Sequence, residues 1–483
     1  MLESRQKPHG ATAVTLLSVL LGVLAVAMSI AGTAVAVPDI GADLRTSGPP
    51  LQWVVAGYNL TFAAFTLVCG SVADLFGRRR MFAIGAAVFG LGSVASGLAG
   101  DVLLLDLARL LAGVGGAAIM ASGGALLAST FRGTALTRAF AAMGTMAGVG
   151  IAIGPSLSGW MVGLLGWRAT FGAYALVAVV ILVGTPFIGE SRGERAGRLD
   201  LGGMLTFVGG LAALMFGIMQ GPEEGWGEPL IVAALGLGVL LLVAFVVIER
   251  RTAAPVLDLS LLGDRRFLAW CLGTLATSAG FLGVLVFLPT YLQGAGHVSA
   301  QGAGLTMLML TGPVLVVPPA AGWLVTRGVS PRLLMTLALL SVAGGNAWLT
   351  VLHPAIGPLG LLGPLLLIGI GMGVSFGVTD GQAMRLVEPG RVGMAAGVLN
   401  TVRGGAEALV IAVFGAVLLS LVQAGVGAAD TAGRVVAGDL SGNEPFFAAQ
   451  YTGAWQVALW AVALLTAACA LAVCAMLAPE KRG

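Results

Sequence analysis

Fourteen stretches of this 483-residue chain are apolar for long enough to cross a lipid bilayer as helices. A hydrocarbon core about 30 Å thick needs about 20 such residues. Six stretches come first: Ala11 to Val37, Leu51 to Ala73, Met81 to Leu98, Val102 to Thr130, Ala139 to Leu165 and Trp167 to Ile188. Two follow a charged break, Leu201 to Gln220 and Pro229 to Ile248. The last six are Phe267 to Leu292, Ala303 to Thr326, Leu333 to Leu352, Leu359 to Met384, Val392 to Gln423 and Thr452 to Leu477. Composition agrees: 58% of residues are hydrophobic and 10% charged, against about 25% charged in soluble domains. The 75 glycines are interleaved with Leu, Val and Ala without a period, which excludes collagen and disorder. The chain reads as an all-α integral membrane protein.

The first stretch ends near Ala34-Val35-Ala36, which resembles a signal-peptide cleavage site. Its 27-residue apolar run is too long for a signal core of about 7–15 residues, so it reads as an uncleaved first span. With the N-terminus placed in the cytoplasm, 20 of the 25 Lys and Arg fall on the cytoplasmic side. Three (Arg45, Arg168, Arg434) fall outside, and Arg109 and Arg403 lie within spans. Positive charge concentrates on the cytoplasmic side of membrane proteins, so both termini are expected there. Trp53, Trp167, Trp226 and Trp455 fall at or near predicted outer boundaries, where amphipathic rings anchor at headgroups. Cys69, Cys271, Cys469 and Cys474 have no metal-type spacing and read as small buried apolar groups.

The order is six spans, a two-span insert and six more. The expected units are a first six-helix bundle (1–192), a two-helix insert with cytoplasmic linkers (193–262) and a second six-helix bundle (263–483). Transporters built from two six-span halves hold substrate between the halves near the midplane. A faint internal repeat supports the division. The loop after span two carries Gly70, Asp74, Gly77, Arg78, Arg79 and Arg80, and the loop after span ten, from Gly322 to Arg332, looks like its decayed copy.

The first of these loops resembles the signature of the major facilitator superfamily, and the fourteen spans resemble its drug:proton antiporter branch over nearly the whole chain. Pro38-Asp39-Ile40 closing span one, Gln52, Trp53 and Tyr58 in span two, and Trp167-Arg168 before span six match that branch. Arg109 followed by Ala112 and Gly113 is similar to the family's Arg-x-x-Gln-Gly, with Ala112 in place of Gln. Gly150, Gly154, Pro155, Ser158 and Gly159 resemble the antiporter motif of span five, with Ser158 in place of one glycine. The resemblance implies that the signature loop latches the two halves on the cytoplasmic side, that Arg109 takes part in proton relay, and that Ser29, Tyr58, Asn59 and Asn400 line the substrate cavity. At Ser29 the family usually carries an acid; that departure moves coupling elsewhere and suits the cavity less to strongly cationic drugs.

The residues support independent readings. Gly77 permits a tight turn, and Asp74 is placed to meet backbone N–H groups at a helix N-terminus; the arginines alone would mark topology. Gly150, Gly154 and Ser158 recur every four residues, allowing close backbone contact, and Pro155 can bend the helix. A charge near the bilayer centre costs about 2.5–3.5 kcal/mol, so each in-span charge is a candidate. Asn400, Arg403 and Glu407 share one helix face. There Glu407 could load and unload a proton, or form a static pair with Arg403. Arg109 could be neutralised by Asp106, one turn earlier. Asp380 could be a second protonation site, a gate or a solvated helix end.

The function expected is secondary active export of a small amphipathic compound by alternating access, in exchange for protons. A dedicated exporter of a lipid-like molecule or single metabolite, without strict coupling, is the alternative. His9, His297 and His353 are dispersed, and no nucleotide-binding loop appears, so a membrane enzyme and an ATP-driven pump are both disfavoured. A channel would leave the span-five motif unexplained. No cofactor, metal or nucleic-acid partner is expected; the expected setting is a monomer in the cell membrane.

Overall fold

The computed structural model describes residues 9–192, 200–252, 263–386 and 392–478. The side chains of Asp380 and Asn400, two of the expected site residues, lie outside that description. Among the described residues there is no strand. The helices are α1 (His9–Leu44), α2 (Gly48–Phe76), α3 (Arg78–Leu98), α4 (Val102–Thr130), α5 (Gly133–Leu165), α6 (Trp167–Gly184), α7 (Leu201–Glu224) and α8 (Pro229–Arg251). They continue as α9 (Arg265–Gly294), α10 (Ala300–Thr326), α11 (Pro331–Leu349), α12 (Leu362–Met384), α13 (Val392–Val426), α14 (Ala429–Val436) and α15 (Glu444–Met476).

Thirteen of these are long and apolar enough to cross a membrane. A fourteenth is α2, if its segments Gly48–Thr66 and Val68–Phe76, bent by 47°, form one span. At the bend the Thr66 hydroxyl donates to the Phe62 carbonyl at 2.5 Å, a back-bond of the kind that bends helices.

Several boundaries differ from the sequence reading. Pro38 does not close the first span: α1 runs through it to Leu44, since a proline removes one ladder bond that a packed membrane helix can forgo. The stretch 424–451 is not one long loop. It contains α14, and the final helix begins at Glu444, with Asn443 as N-cap and a proline in its first turn. Trp455 is therefore inside the last helix and fully buried, and Trp167 is 4% exposed, so both rings are enclosed by protein. Five tryptophans are exposed instead: Trp160, Trp226, Trp323, Trp348 and Trp460, at 48, 49, 53, 52 and 50%.

In lipid, helices gain little from hydrophobic burial against one another and associate through close packing of small residues. On α3, a Cβ at Gly92 would lie 2.6 Å from the Ala112 backbone nitrogen of α4. One apolar cluster joins Val23, Tyr58, Phe82, Phe89, Ile119 and Phe171 of the first six helices. Another joins α9, α12, α13 and α15, and also takes in residues of α2 and α7. In its most apolar window α9 is 83% buried and α8 only 17%, so α9 is interior and α8 is peripheral.

The helix ends rich in arginine define one end of the bundle, and the arginine-poor ends the other. At the arginine-poor end the early and late helices are tied together. Gln293 Nε2 of α9 donates to the Val35 carbonyl of α1 at 3.0 Å. Gly433 of α14 abuts Gly48 at the start of α2.

Candidate functional site

Arg109, on α4, is 1% exposed. Its Nε donates to the Val54 carbonyl of α2 at 2.9 Å, and its Nη1 donates to Ser29 Oγ of α1 at 3.0 Å. The guanidinium carbon lies 4.2 Å from the centre of the Tyr58 ring and 5.5 Å from that of Phe171. Among the described residues Arg109 forms no ion pair, and its Nη2 has no hydrogen-bond partner. Asp106, one turn earlier on α4, makes no direct ion pair with it: the guanidinium turns toward α1 and α2. A buried cation without a counterion is costly; here two acceptors and an aromatic face hold it.

Ser29 and Tyr58 are both completely buried in this cluster. Expected as cavity-lining groups, they enclose Arg109 in this conformation. Asn59 is 2% exposed and its Nδ2 donates back to the Val55 carbonyl at 2.9 Å. Next to the cluster, the Tyr174 hydroxyl donates to the Met28 carbonyl at 3.0 Å. Tyr174 was not legible as a site residue, because a tyrosine inside an apolar span has no distinctive spacing.

The second group lies on α13. Glu407 is partly buried, near the middle of this 35-residue helix. Arg403 lies one turn away, its guanidinium carbon 5.1 Å from the centre of the Phe376 ring of α12. On either side of Glu407, α13 meets α2: a Cβ at Gly404 would lie 3.3 Å from Ala63, and one at Gly415 2.7 Å from Gln52.

The span-five motif packs in two directions. A Cβ at Gly150 would lie 2.6 Å from that of Ala27, and one at Gly154 3.3 Å from the Met28 Cα, both on α1. Gly159 and Pro155 instead face α10, where a Cβ at Gly304 would lie 2.5 Å from the Pro155 carbonyl oxygen. Ser156 Oγ donates to the Gly304 carbonyl at 2.8 Å, and Thr311 Oγ1 to the Ala152 carbonyl at 2.8 Å.

At the arginine-rich end Gly77 turns the chain with φ +121°. Gly70, earlier on α2, lies near Ala121 of α4. Asp74 does not meet a helix N-terminus as expected. Arg78 is one turn ahead, and its Nε and Nη2 both reach Asp74 Oδ1 at 2.8 Å. The carboxylate at the start of α3 is Glu190, beyond α6: its Oε1 accepts from the Arg79 backbone nitrogen at 3.0 Å, and it pairs with Arg79 and Arg80 at 3.6 and 3.7 Å. Its one sequence signal is an acid immediately after span six, at an otherwise basic end. These described contacts all lie within residues 1–192.

A profile of the Major Facilitator Superfamily matches residues 19–411. The puromycin resistance protein pur8 of Streptomyces alboniger is 36% identical over 404 residues, covering 82% of this chain and 78% of its own. The cephamycin export protein CmcT of Amycolatopsis lactamdurans is 35% identical, covering 78% of this chain and 79% of its own. The drug efflux pump JefA of Mycobacterium tuberculosis is 32% identical, covering 86 and 81%. Among solved structures, a bacterial homologue of the human lysosomal transporter Spinster, inward-facing and unoccupied, superposes with a TM-score of 0.67 at 14% identity. It covers 97% of this chain and 98% of that one. The chain is a multi-spanning cell-membrane protein and belongs to the Major Facilitator Superfamily of transporters.

Proposed function

We propose that the protein exports a small amphipathic organic compound, of the drug or natural-product class, in exchange for protons. Its relatives carry names of antibiotic resistance and export, which supports the direction and the substrate class. In this reading residues 1–192 and 263–483 form two six-helix bundles that rock about a central site. Residues 193–262 are an insert between them, and both termini are cytoplasmic. The tied arginine-poor end is then the outer face, and the conformation is inward-facing.

The observation that carries the reading is the unequal placement of charge. The first half holds a buried cation, Arg109, against a neutral Ser29. The mid-span carboxylate available for proton exchange is Glu407 on α13, at the level where the halves meet. Glu407 takes a proton from outside when the site faces outward and releases it inside, with Arg403 one turn away on the same helix. Asp380 and Asn400 join this group by their positions in the sequence.

The test is export by proteoliposomes under an imposed pH gradient, using an amphipathic antibiotic panel. Glu407→Gln is expected to lose gradient-driven accumulation while still binding substrate. Export by the variant equal to that of the unaltered protein would overturn the assignment. The neutral Ser29 also favours a second reading, a dedicated exporter of one lipid-like molecule without strict proton coupling. Export that ignores the pH gradient in the unaltered protein would select it.

A further inference from the structure

Early and late helices pack against each other along two seams, one between α2 and α13 and one between α5 and α10. The fold treats them differently. The α2/α13 seam is covered from outside by α7. Leu211, Met215 and Met219 of α7, spaced four residues apart, are at most 2% exposed. They share one apolar cluster with Val55, Leu60 and Ala63 of α2 and with Ile411 of α13. At the end of α7, Glu223 places its carboxylate over the first residue of α2, where a Cβ on Gly48 would lie 3.2 Å from Oε2. A carboxylate at a helix N-terminus is favourable. On its other face α7 packs against α8, with Gly217 meeting Leu235.

The α5/α10 seam carries no such cover among the described residues. On its outer surface Trp160, Leu305 and Val316 are 48, 53 and 70% exposed. Its hydrogen bonds, from Ser156 and Thr311, lie in the half toward the arginine-poor end. At Gly148 a Cβ would still come within 3.7 Å of the Val314 carbonyl oxygen of α10. One turn further toward the arginine-rich end, a Cβ at Gly144 would meet nothing within 4 Å, and Gly144 is exposed. The rim is basic: Arg138 is exposed, and the Arg327 guanidinium lies 4.4 Å from the centre of the Trp323 ring.

We propose that α7 and α8 seal one seam, and that the α5/α10 seam beside Gly144 is the lateral entrance through which a bilayer-dissolved amphiphile reaches the space between the halves. The occupant has an apolar body, which suits Leu315 and Val316, and a neutral or anionic polar group. Basic residues rim the opening, and the buried Arg109 within forms no ion pair among the described residues. The role of this entrance rests on the export reading above, whereas its exposure to lipid can be measured without transport.

The experiment uses the full chain in proteoliposomes, with Cys69, Cys271, Cys469 and Cys474 replaced by alanine and one cysteine restored at a time. The probe is an N-alkylmaleimide with a dodecyl chain, which resides in the bilayer. Leu240→Cys on α8, a position 64% exposed, sets the rate for a lipid-facing thiol. Gly144→Cys is expected to react at a comparable rate, and Met215→Cys about tenfold more slowly, a decade in rate. Leu211→Cys, one turn from Met215, repeats the measurement if Met215→Cys does not reach the membrane. Labelling of Met215→Cys at the Leu240→Cys rate would remove the seal. Protection of Gly144→Cys to the Met215→Cys level would remove the entrance. Either result stands even where export itself fails, so the two readings fail separately.

Discussion

Ser29 Oγ of α1 accepts a hydrogen bond from Arg109 Nη1 of α4 at 3.0 Å, so a neutral hydroxyl faces the buried guanidinium of the first six helices. A hydroxyl can only share its lone pairs, whereas a carboxylate would neutralise the cation. At position 29 the guanidinium therefore meets a polar but uncharged partner.

Ser29→Asp is expected to shift export toward cationic substrates. A carboxylate beside Arg109 would form a charge-assisted hydrogen bond, roughly twice as strong as a neutral one. Export of a lipophilic cation should rise about tenfold, equivalent to ~1.4 kcal/mol, as read by dye efflux from cells or proteoliposomes. An unchanged cation rate would mean that the Ser29–Arg109 pair does not set charge selectivity.

Arg109→Lys keeps the charge but loses the planar fork that reaches Val54 and Ser29 together. Arg and Lys are not interchangeable where the geometry is two-pronged. Export is expected to fall about tenfold, or ~1.4 kcal/mol, while membrane insertion stays normal. Retention of full rate would show that position 109 needs only a positive charge.

The turn at Gly77 can be tested against its neighbour Glu190. Gly77 has φ +121°, and a Cβ there would lie 2.8 Å from Glu190 Oε1. Gly77→Ala should therefore cost about 1–3 kcal/mol in strain. Glu190→Gln keeps an oxygen for the Arg79 backbone nitrogen and loses half-exposed ion pairs, so it should cost about 1 kcal/mol or less. Thermal unfolding in detergent should rank the alanine variant well below the glutamine one.

Two glycines on α5 should differ sharply. Gly150→Ala would push a methyl to within 2.6 Å of Ala27 Cβ, an overpacking of about 1–3 kcal/mol. Gly144→Ala meets open space and should stay within about 0.5 kcal/mol. Comparable losses in melting temperature for both would contradict the packing of α5 on α1.

The chain's helical character was legible because lipid imposes a length and a polarity on every span, and those are properties of consecutive residues. Thus α3, α4, α7 and α8 begin and end within a few residues of their apolar runs. Pro38 and the start of the last helix were misread. A proline inside a packed membrane helix costs one backbone bond, and an N-terminal turn such as Asn443–Glu444–Pro445 is polar however well it continues into the span.

Arg109 stood out in the sequence by being a charge within an apolar run. Its partners did not, because Ser29, Val54 and Tyr58 come from other helices and are ordinary residues in their own segments. The same holds for Glu190 beneath Gly77 and for Leu211, Met215 and Met219 across α2 and α13. By itself the sequence determined which segments are long and apolar enough to cross a membrane and which few charges lie within them, since those follow from local composition. Only the tertiary structure decided which neutral group faces the buried cation and which seam α7 covers, because both depend on helix faces meeting across large separations in the chain.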